Sequence, residues 1–334
     1  MVNPMVAMAK RPLERSRNRR LLEITGPGTI REERFVPLGG IQQWVTIRGR
    51  DATNRVLLIL HGGPGSSYTP FNSWLGSWER EFTLVQWDQR GGGKTFLRTG
   101  TAPDLSLERL VADGIELAQS LVERFGSPIV LMGSSVGSLI GAIIARRRPE
   151  LVSSFVAANV LTNEPGDEGY RLVRDWAERR GDRHAIRDLQ RLGPDSHHWS
   201  PGDSLTFSKI AIKASEGVPD MVYDLMLPAL MYSPDYTMGD IRQLEKGMAL
   251  ALHELQPEYN AYDFDALGWD YEVPVTIVQG EGDLISPVVL ARRHFDRIRA
   301  PHKQFVTVTG AGHLVEFAAR ERFLTILKEL RVAT

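Results

Sequence analysis

Residues 128–140 read Pro128-Ile129-Val130-Leu131-Met132-Gly133-Ser134-Ser135-Val136-Gly137-Ser138-Leu139-Ile140. An apolar run of strand length meets Gly-x-Ser-x-Gly, and a small, apolar stretch able to continue as a helix runs on to Ala145. Strand, sharp turn and helix form the setting in which such a serine sits on strained backbone with its hydroxyl lifted clear of a sheet. Glycines flank it because strand and helix pass too close for side chains. Ser135 is the candidate nucleophile, and Ser134, on the variable position of the motif, is its rival. Taken alone, the stretch is equally a Gly/Ser loop between a buried strand and a helix.

Working outward, Val56-Leu57-Leu58-Ile59-Leu60 is a fully apolar run of the kind buried parallel strands carry. It enters His61-Gly62-Gly63-Pro64-Gly65, a glycine-rich loop able to aim backbone N–H groups at a developing oxyanion. The N–H groups of Gly63 and Val136 are the expected donors. Near the end of the chain, the strand pattern Val273–Gln279 precedes Gly280-Glu281-Gly282-Asp283. Phe305–Thr309 then precedes Gly310-Ala311-Gly312-His313. Serine, acid and histidine thus come in the order of an α/β-hydrolase triad. Ser135 needs a base, His313, and His313 needs an acid to fix its tautomer. Asp283 is placed for that role, with Glu281 as its rival. The strand Ser153–Ala158 ends at Asn159 rather than at an acid, which removes one other position for it.

On these motifs the chain resembles the α/β-hydrolases of the proline iminopeptidase family. His61-Gly62-Gly63-Pro64-Gly65 matches that family's H-G-G-P-G, Asp88-Gln89-Arg90-Gly91 matches its D-Q-R-G, and Ser135 lies in its nucleophile elbow. Asp283 and His313 fall where the family keeps its acid and base. The resemblance covers roughly residues 40–160 and 272–330. It implies an α/β-hydrolase fold: a mostly parallel, doubly covered sheet with an inserted helical cap. It also implies cofactor-independent serine hydrolysis of a small amide or short peptide with a free N-terminus. The elbow departs at Ser134 and Val136, where the family usually has Gly and Trp. The family's Trp-rich acidic cap segment is not recognisable. Exopeptidase action needs an acid to hold the substrate ammonium, and Glu245 is the first candidate. Two other readings stay open: a carboxylesterase or acyl-transfer enzyme of secondary metabolism, and a hydrolase-fold ligand receptor with slow turnover. An epoxide hydrolase or dehalogenase would carry Asp at the elbow.

The 334 residues carry a net charge of −1, so no global electrostatic case exists for nucleic acid or an acidic membrane surface. With no cysteine, thiol nucleophiles, thiolate metal sites and disulfides are excluded. No apolar stretch reaches the roughly 20 residues of a membrane span. The basic stretch Lys10–Arg20 lacks a following apolar region, so no secretory signal is expected and the location is read as cytoplasmic. Residues 1–30 are expected to be a flexible basic tail, 31–160 and 269–334 the core, and 161–268 the cap, where Arg, Asp and Glu-rich helical segments alternate with Gly/Pro/Ser breaks. No cofactor or metal is expected: His197-His198 reads as a solvated loop, and Gly91–Thr95 lacks the full phosphate-loop spacing. His61, Asp88 and Arg90 read as structural. The cap acids Glu164, Asp167, Glu168 and Glu216 read mostly as solvated helix faces. Oligomeric state is not legible.

Overall fold

The structure, a computed structural model, describes residues 1–163 and 167–332. Eight strands pair into one sheet: β1 (Ile30–Leu38), β2 (Ile41–Gly49), β3 (Val56–Leu60), β4 (Thr83–Asp88), β5 (Ile129–Ser134), β6 (Val152–Ala158), β7 (Val275–Gly280) and β8 (Lys303–Val308), in the order β1-β2-β4-β3-β5-β6-β7-β8. β2 runs antiparallel to β1 and β4, and all other neighbours are parallel. The apolar runs become the inner strands because both faces are covered. Along β3, Leu57 and Ile59 join one cluster with Val130, Met132, Phe71 and Trp78. Leu58 and Leu60 join another with Leu131, Leu139 and Ile143. A period of two on a strand with two buried faces leaves no polar position.

The helices are α1 (Pro4–Leu21), α2 (Gly93–Thr99), α3 (Leu107–Phe125), α4 (Val136–Arg147), α5 (Glu168–Arg180), α6 (Arg183–Leu192), α7 (Pro201–Ala214), α8 (Leu227–Tyr232), α9 (Met238–Asn260), α10 (Phe264–Leu267), α11 (Val288–Arg297), α12 (Val315–Ala318) and α13 (Arg320–Lys328). α3 starts at Ser106, whose side chain accepts the Arg109 N–H at 3.1 Å, and stops at left-handed Gly126. α3, α4 and α11 cover one face of the sheet; α12, α13 and the turns around Phe71 and Trp78 cover the other.

Arg90 and Asp113 form a fully buried ion pair at 3.0 Å. The Arg90 guanidinium also donates to the carbonyls of Gly39 and Pro103, so this family-motif residue ties the β1–β2 turn to the loop before α3. Removing one partner of such a pair leaves a buried charge uncompensated. Asp113→Ala is therefore expected to lower stability by about 3–5 kcal/mol, read from its denaturant midpoint. A loss below about 1 kcal/mol would mean the site refills with water or repacks.

Between β6 and β7 the described chain is helical, α5 to α10, with its own cluster around Tyr170, Val173, Trp176 and Ile210. α9 lies against the loops after β3 and β4 through small residues. A Cβ on Gly247 would stand 2.8 Å from the Gly91 carbonyl, and Ala251 packs on Gly65. Tyr236 Oη bonds Thr69 Oγ1 at 2.6 Å and reaches Asp88, fastening this segment to the turn after β3.

The N-terminal segment differs from expectation. Residues 4–21 form α1, not a flexible tail. Its start is set by Asn3, which accepts the Met5 N–H, and by Pro4 in the first turn. Arg11, Arg15 and Asn18, spaced along one helix face, donate to the carbonyls of Tyr236, Pro234 and Tyr232. Those carbonyls lie at the last residue of α8 and just beyond it, where backbone acceptors lack helical partners. The arginines read as tail charges are the donors that dock the helix.

Candidate active site

Ser135, Asp283 and His313 all follow C-terminal ends of parallel strands, β5, β7 and β8, on the edge where open α/β sheets bind ligands. Ser135 has φ +52° and ψ −124°, a conformation non-glycine residues rarely hold. It is fixed from both sides. Its N–H donates to the Ala158 carbonyl at 3.0 Å, and its carbonyl accepts the Ser138 hydroxyl at 2.6 Å. Asn159, at φ +44°, and Leu314, at φ +65°, add two more strained positions beside it and beside His313. Among the described residues, three of the four non-glycine residues with positive φ thus belong to this edge, the usual place for stored backbone strain. Ser134, the rival, is completely buried while Ser135 is partly open.

His313 Nδ1 donates to Asp283 Oδ2 at 2.8 Å, which leaves Nε2 as the basic nitrogen of the neutral ring. The other Asp283 oxygen accepts the N–H groups of Ile285 and Ser286, each at 2.9 Å, and Gln279 Nε2 donates to Oδ2 at 3.1 Å. Four donors match the capacity of a carboxylate and lock its orientation. Glu281 is exposed, so the buried acid against the histidine is Asp283. Burial alone would pull the His313 pKa down; the Asp283 charge and hydrogen bond act against it, and the value lies above 6.5.

The His61–Gly65 loop passes directly over the elbow. A Cβ on Gly62 would lie 2.7 Å from the Ser134 carbonyl and 2.8 Å from Ser135 Cβ, so only glycine fits. This sets Gly62 against Ser135, with Gly63 the next residue of the loop. Val136 is the first residue of α4, where N–H groups have no helical acceptor and the helix dipole is positive. Among the described residues neither the Gly63 nor the Val136 N–H has a hydrogen-bond acceptor. His61 Nε2 accepts the Gln89 N–H at 3.1 Å, so its Nδ1–H donates to the Gly62 carbonyl at 2.9 Å. Both nitrogens are occupied, and burial lowers its pKa, which fits a loop brace rather than a base.

Glu245 does not reach this edge. It is exposed on α9, while Leu244 and Met248 hold the side facing Gly65 and Ser66. Leaving a carboxylate in water avoids the desolvation that a place against the loop would impose. Glu216 pairs with Arg180 and Trp176, and Glu168 with Arg293. Glu164 lies outside the described residues. His197 and His198 are exposed, and no metal-holding group occurs among the described residues. Four residues beside the site were given no role in it from the sequence: Gln279, Tyr68, Asn159 and Glu316. Gln279 had a signal, as a long polar side chain in a buried strand whose other side chains are Val, Ile and Thr. The others meet only through long-range folding.

A family model for the α/β hydrolase fold matches residues 55–317. The chain is 23% identical over 286 residues to the "Probable aminopeptidase YbaC" of Bacillus subtilis, covering 83% of this chain and 88% of that protein. It is 24% identical over 313 residues to a proline iminopeptidase of Lactobacillus delbrueckii subsp. bulgaricus, covering 89% and 96%. The crystal structure of a proline iminopeptidase of Mycobacterium smegmatis superposes with a TM-score of 0.62 at 18% identity, over 89% of this chain and 96% of the other, a likeness of fold. The family match runs from the threshold of β3 into α12, across all the parallel strands and everything between them, and so the chain belongs to the α/β hydrolase fold family.

Proposed function

We propose that the chain is a serine hydrolase with Ser135 as nucleophile, His313 as base and Asp283 as its orienting acid. The observation that carries this reading is the buried His313–Asp283 hydrogen bond on the same strand edge as the strained Ser135 turn. Ser135 Oγ attacks an acyl carbon as its proton passes to His313 Nε2, and the carbonyl electrons move onto oxygen, held by the Gly63 and Val136 N–H groups. The bond to the leaving group then breaks, and His313 returns the proton to that group. Water, deprotonated by His313, attacks the acyl-enzyme and frees the acid and Ser135.

The substrate is a small amide or short peptide with a free N-terminus; the aminopeptidase and proline iminopeptidase relatives support this choice. One observation favours esters as the second reading. The cleft beside Gly65 and Ser66 is lined by Pro70, Phe71, Met226, Leu230, Leu244 and Met248, with no carboxylate for an ammonium. An aminoacyl-arylamide, its N-acetylated twin and a p-nitrophenyl ester of the same acyl group separate the two. Preference for the free amine supports the aminopeptidase; equal rates on the first two with faster ester cleavage select the esterase. Glu245→Gln is expected to change none of these rates by more than about twofold, since its carboxylate is solvated and screened. A selective loss on the free-amine substrate would return Glu245 to the site.

The His313 shift gives a pH dependence. The base acts when neutral, and its pKa lies above 6.5, so kcat/KM is expected to rise with pH through one ionisation above that value. A midpoint well below it would mean that another group is the base.

A further inference from the structure

Glu316 follows His313 by three residues and has no solvent exposure. Its Oε2 accepts Asn159 Nδ2 at 3.2 Å, and its Oε1 has no hydrogen-bond partner. The hydroxyls of Ser134 and Tyr68 face the same carboxyl, and both are buried without closing a hydrogen bond; Asn159 Oδ1 is likewise unpartnered. The proposed mechanism uses none of these four residues. Each comes from a segment that holds part of the site. Tyr68 ends the loop carrying Gly63, Ser134 precedes Ser135, Asn159 follows the β6 carbonyl that holds the elbow, and Glu316 shares a turn with His313. Apolar rings close the cluster off, with Tyr68 edge-on to Phe317 at 4.8 Å.

No Lys or Arg side chain among the described residues pairs with Glu316. The titratable groups facing it are His313 and Tyr68. An ionised carboxylate there would be a buried charge with no cation, which is strongly disfavoured. The neutral acid instead supplies an O–H donor to a cluster in which Asn159 Oδ1 lacks one. Burial accordingly pushes the Glu316 carboxyl up.

We propose, on the serine-hydrolase reading above, that Glu316 is a neutral buried acid that positions the nucleophile: it joins Ser134, Tyr68 and Asn159 behind the elbow and adds no charge beside His313. It is a positioning residue and touches no reacting atom. The test is the pH profile of ester hydrolysis by wild type, Glu316→Gln, Glu316→Ala and Ser135→Ala. Glu316→Ala is expected to lose roughly 10–100-fold in kcat with KM within about twofold, since small misplacement of a reacting group costs that much. Glu316→Gln, neutral and of the same shape, is expected to recover most of that loss and to keep the acid limb within about 0.3 pH units of wild type. A fall of the Gln variant's acid limb by about one unit would mean that Glu316 is ionised and raises the His313 pKa, which overturns the proposal. Wild-type kcat in Glu316→Ala overturns it as well. Should Glu316→Ala fail to fold, the acid limb of Glu316→Gln alone decides. Near-wild-type turnover in Ser135→Ala instead overturns the reading of Ser135 as nucleophile, whatever the Glu316 variants do, and the proposal falls with it.

Discussion

Ser135→Ala is expected to abolish turnover of arylamides and esters and to leave the fold unchanged. The hydroxyl oxygen is the only heavy atom lost. The turn is held by backbone groups that alanine keeps, namely the Ser135 N–H to Ala158 and the Ser135 carbonyl to the Ser138 hydroxyl. Alanine inherits the φ of +52° and its strain, so stability changes little. Removing a triad nucleophile leaves on the order of 10³–10⁴-fold acceleration over water, from the oxyanion donors and binding alone, as in the serine-protease case. The measurement is kcat/KM beside a melting curve. Near-wild-type turnover would pass the role to Ser134. That residue would then have to leave full burial to reach a substrate, so Ser134→Ala is the companion variant.

What was legible in the sequence was what repeats locally. The inner strands were readable because both their faces are buried, leaving runs such as Val56–Leu60 wholly apolar. The ends of α3 carry signals of the same local kind, Ser106 and Gly126, because caps act within one turn. The elbow and the late acid and histidine were readable because a sharp strand-to-helix turn and a tight loop need particular residues in fixed order. Asp283 was separated from Glu281 only by the resemblance. The structure separates them by exposure and by two backbone N–H donors that no spacing announces. The errors have one physical cause. Arg11 and Arg15 look like solvated tail charges until the carbonyls after α8 lie beside them, more than 200 residues away. Glu245 looks like a binding acid until its helix is turned by Leu244, Gly247 and Ala251 toward the core. A helix face is chosen by its partners, and sequence shows only the helix.

Asp283→Asn is expected to lower kcat by about 10⁴-fold, the size of the equivalent change in the serine-protease triad, while Glu281→Gln stays within about twofold of wild type. The argument rests on the donors around Asp283. Its Oδ1 accepts two backbone N–H groups, from Ile285 and Ser286, that cannot move without unwinding the loop before α11. Asparagine must therefore keep its carbonyl oxygen there and turn its NH₂ toward Gln279 and His313. His313 Nδ1 then faces a donor and has to become the acceptor, which places the ring proton on Nε2. A ring protonated at Nε2 cannot take the Ser135 proton. The acid limb should fall in the same variant, since the Asp283 charge is a main cause of the raised His313 pKa. Lower kcat together with a lower limb identifies loss of the orienting acid rather than general damage. If Glu281→Gln were instead the crippling change, the two acids would exchange roles and the loop after β7 would have to refold to bring the exposed carboxylate inward.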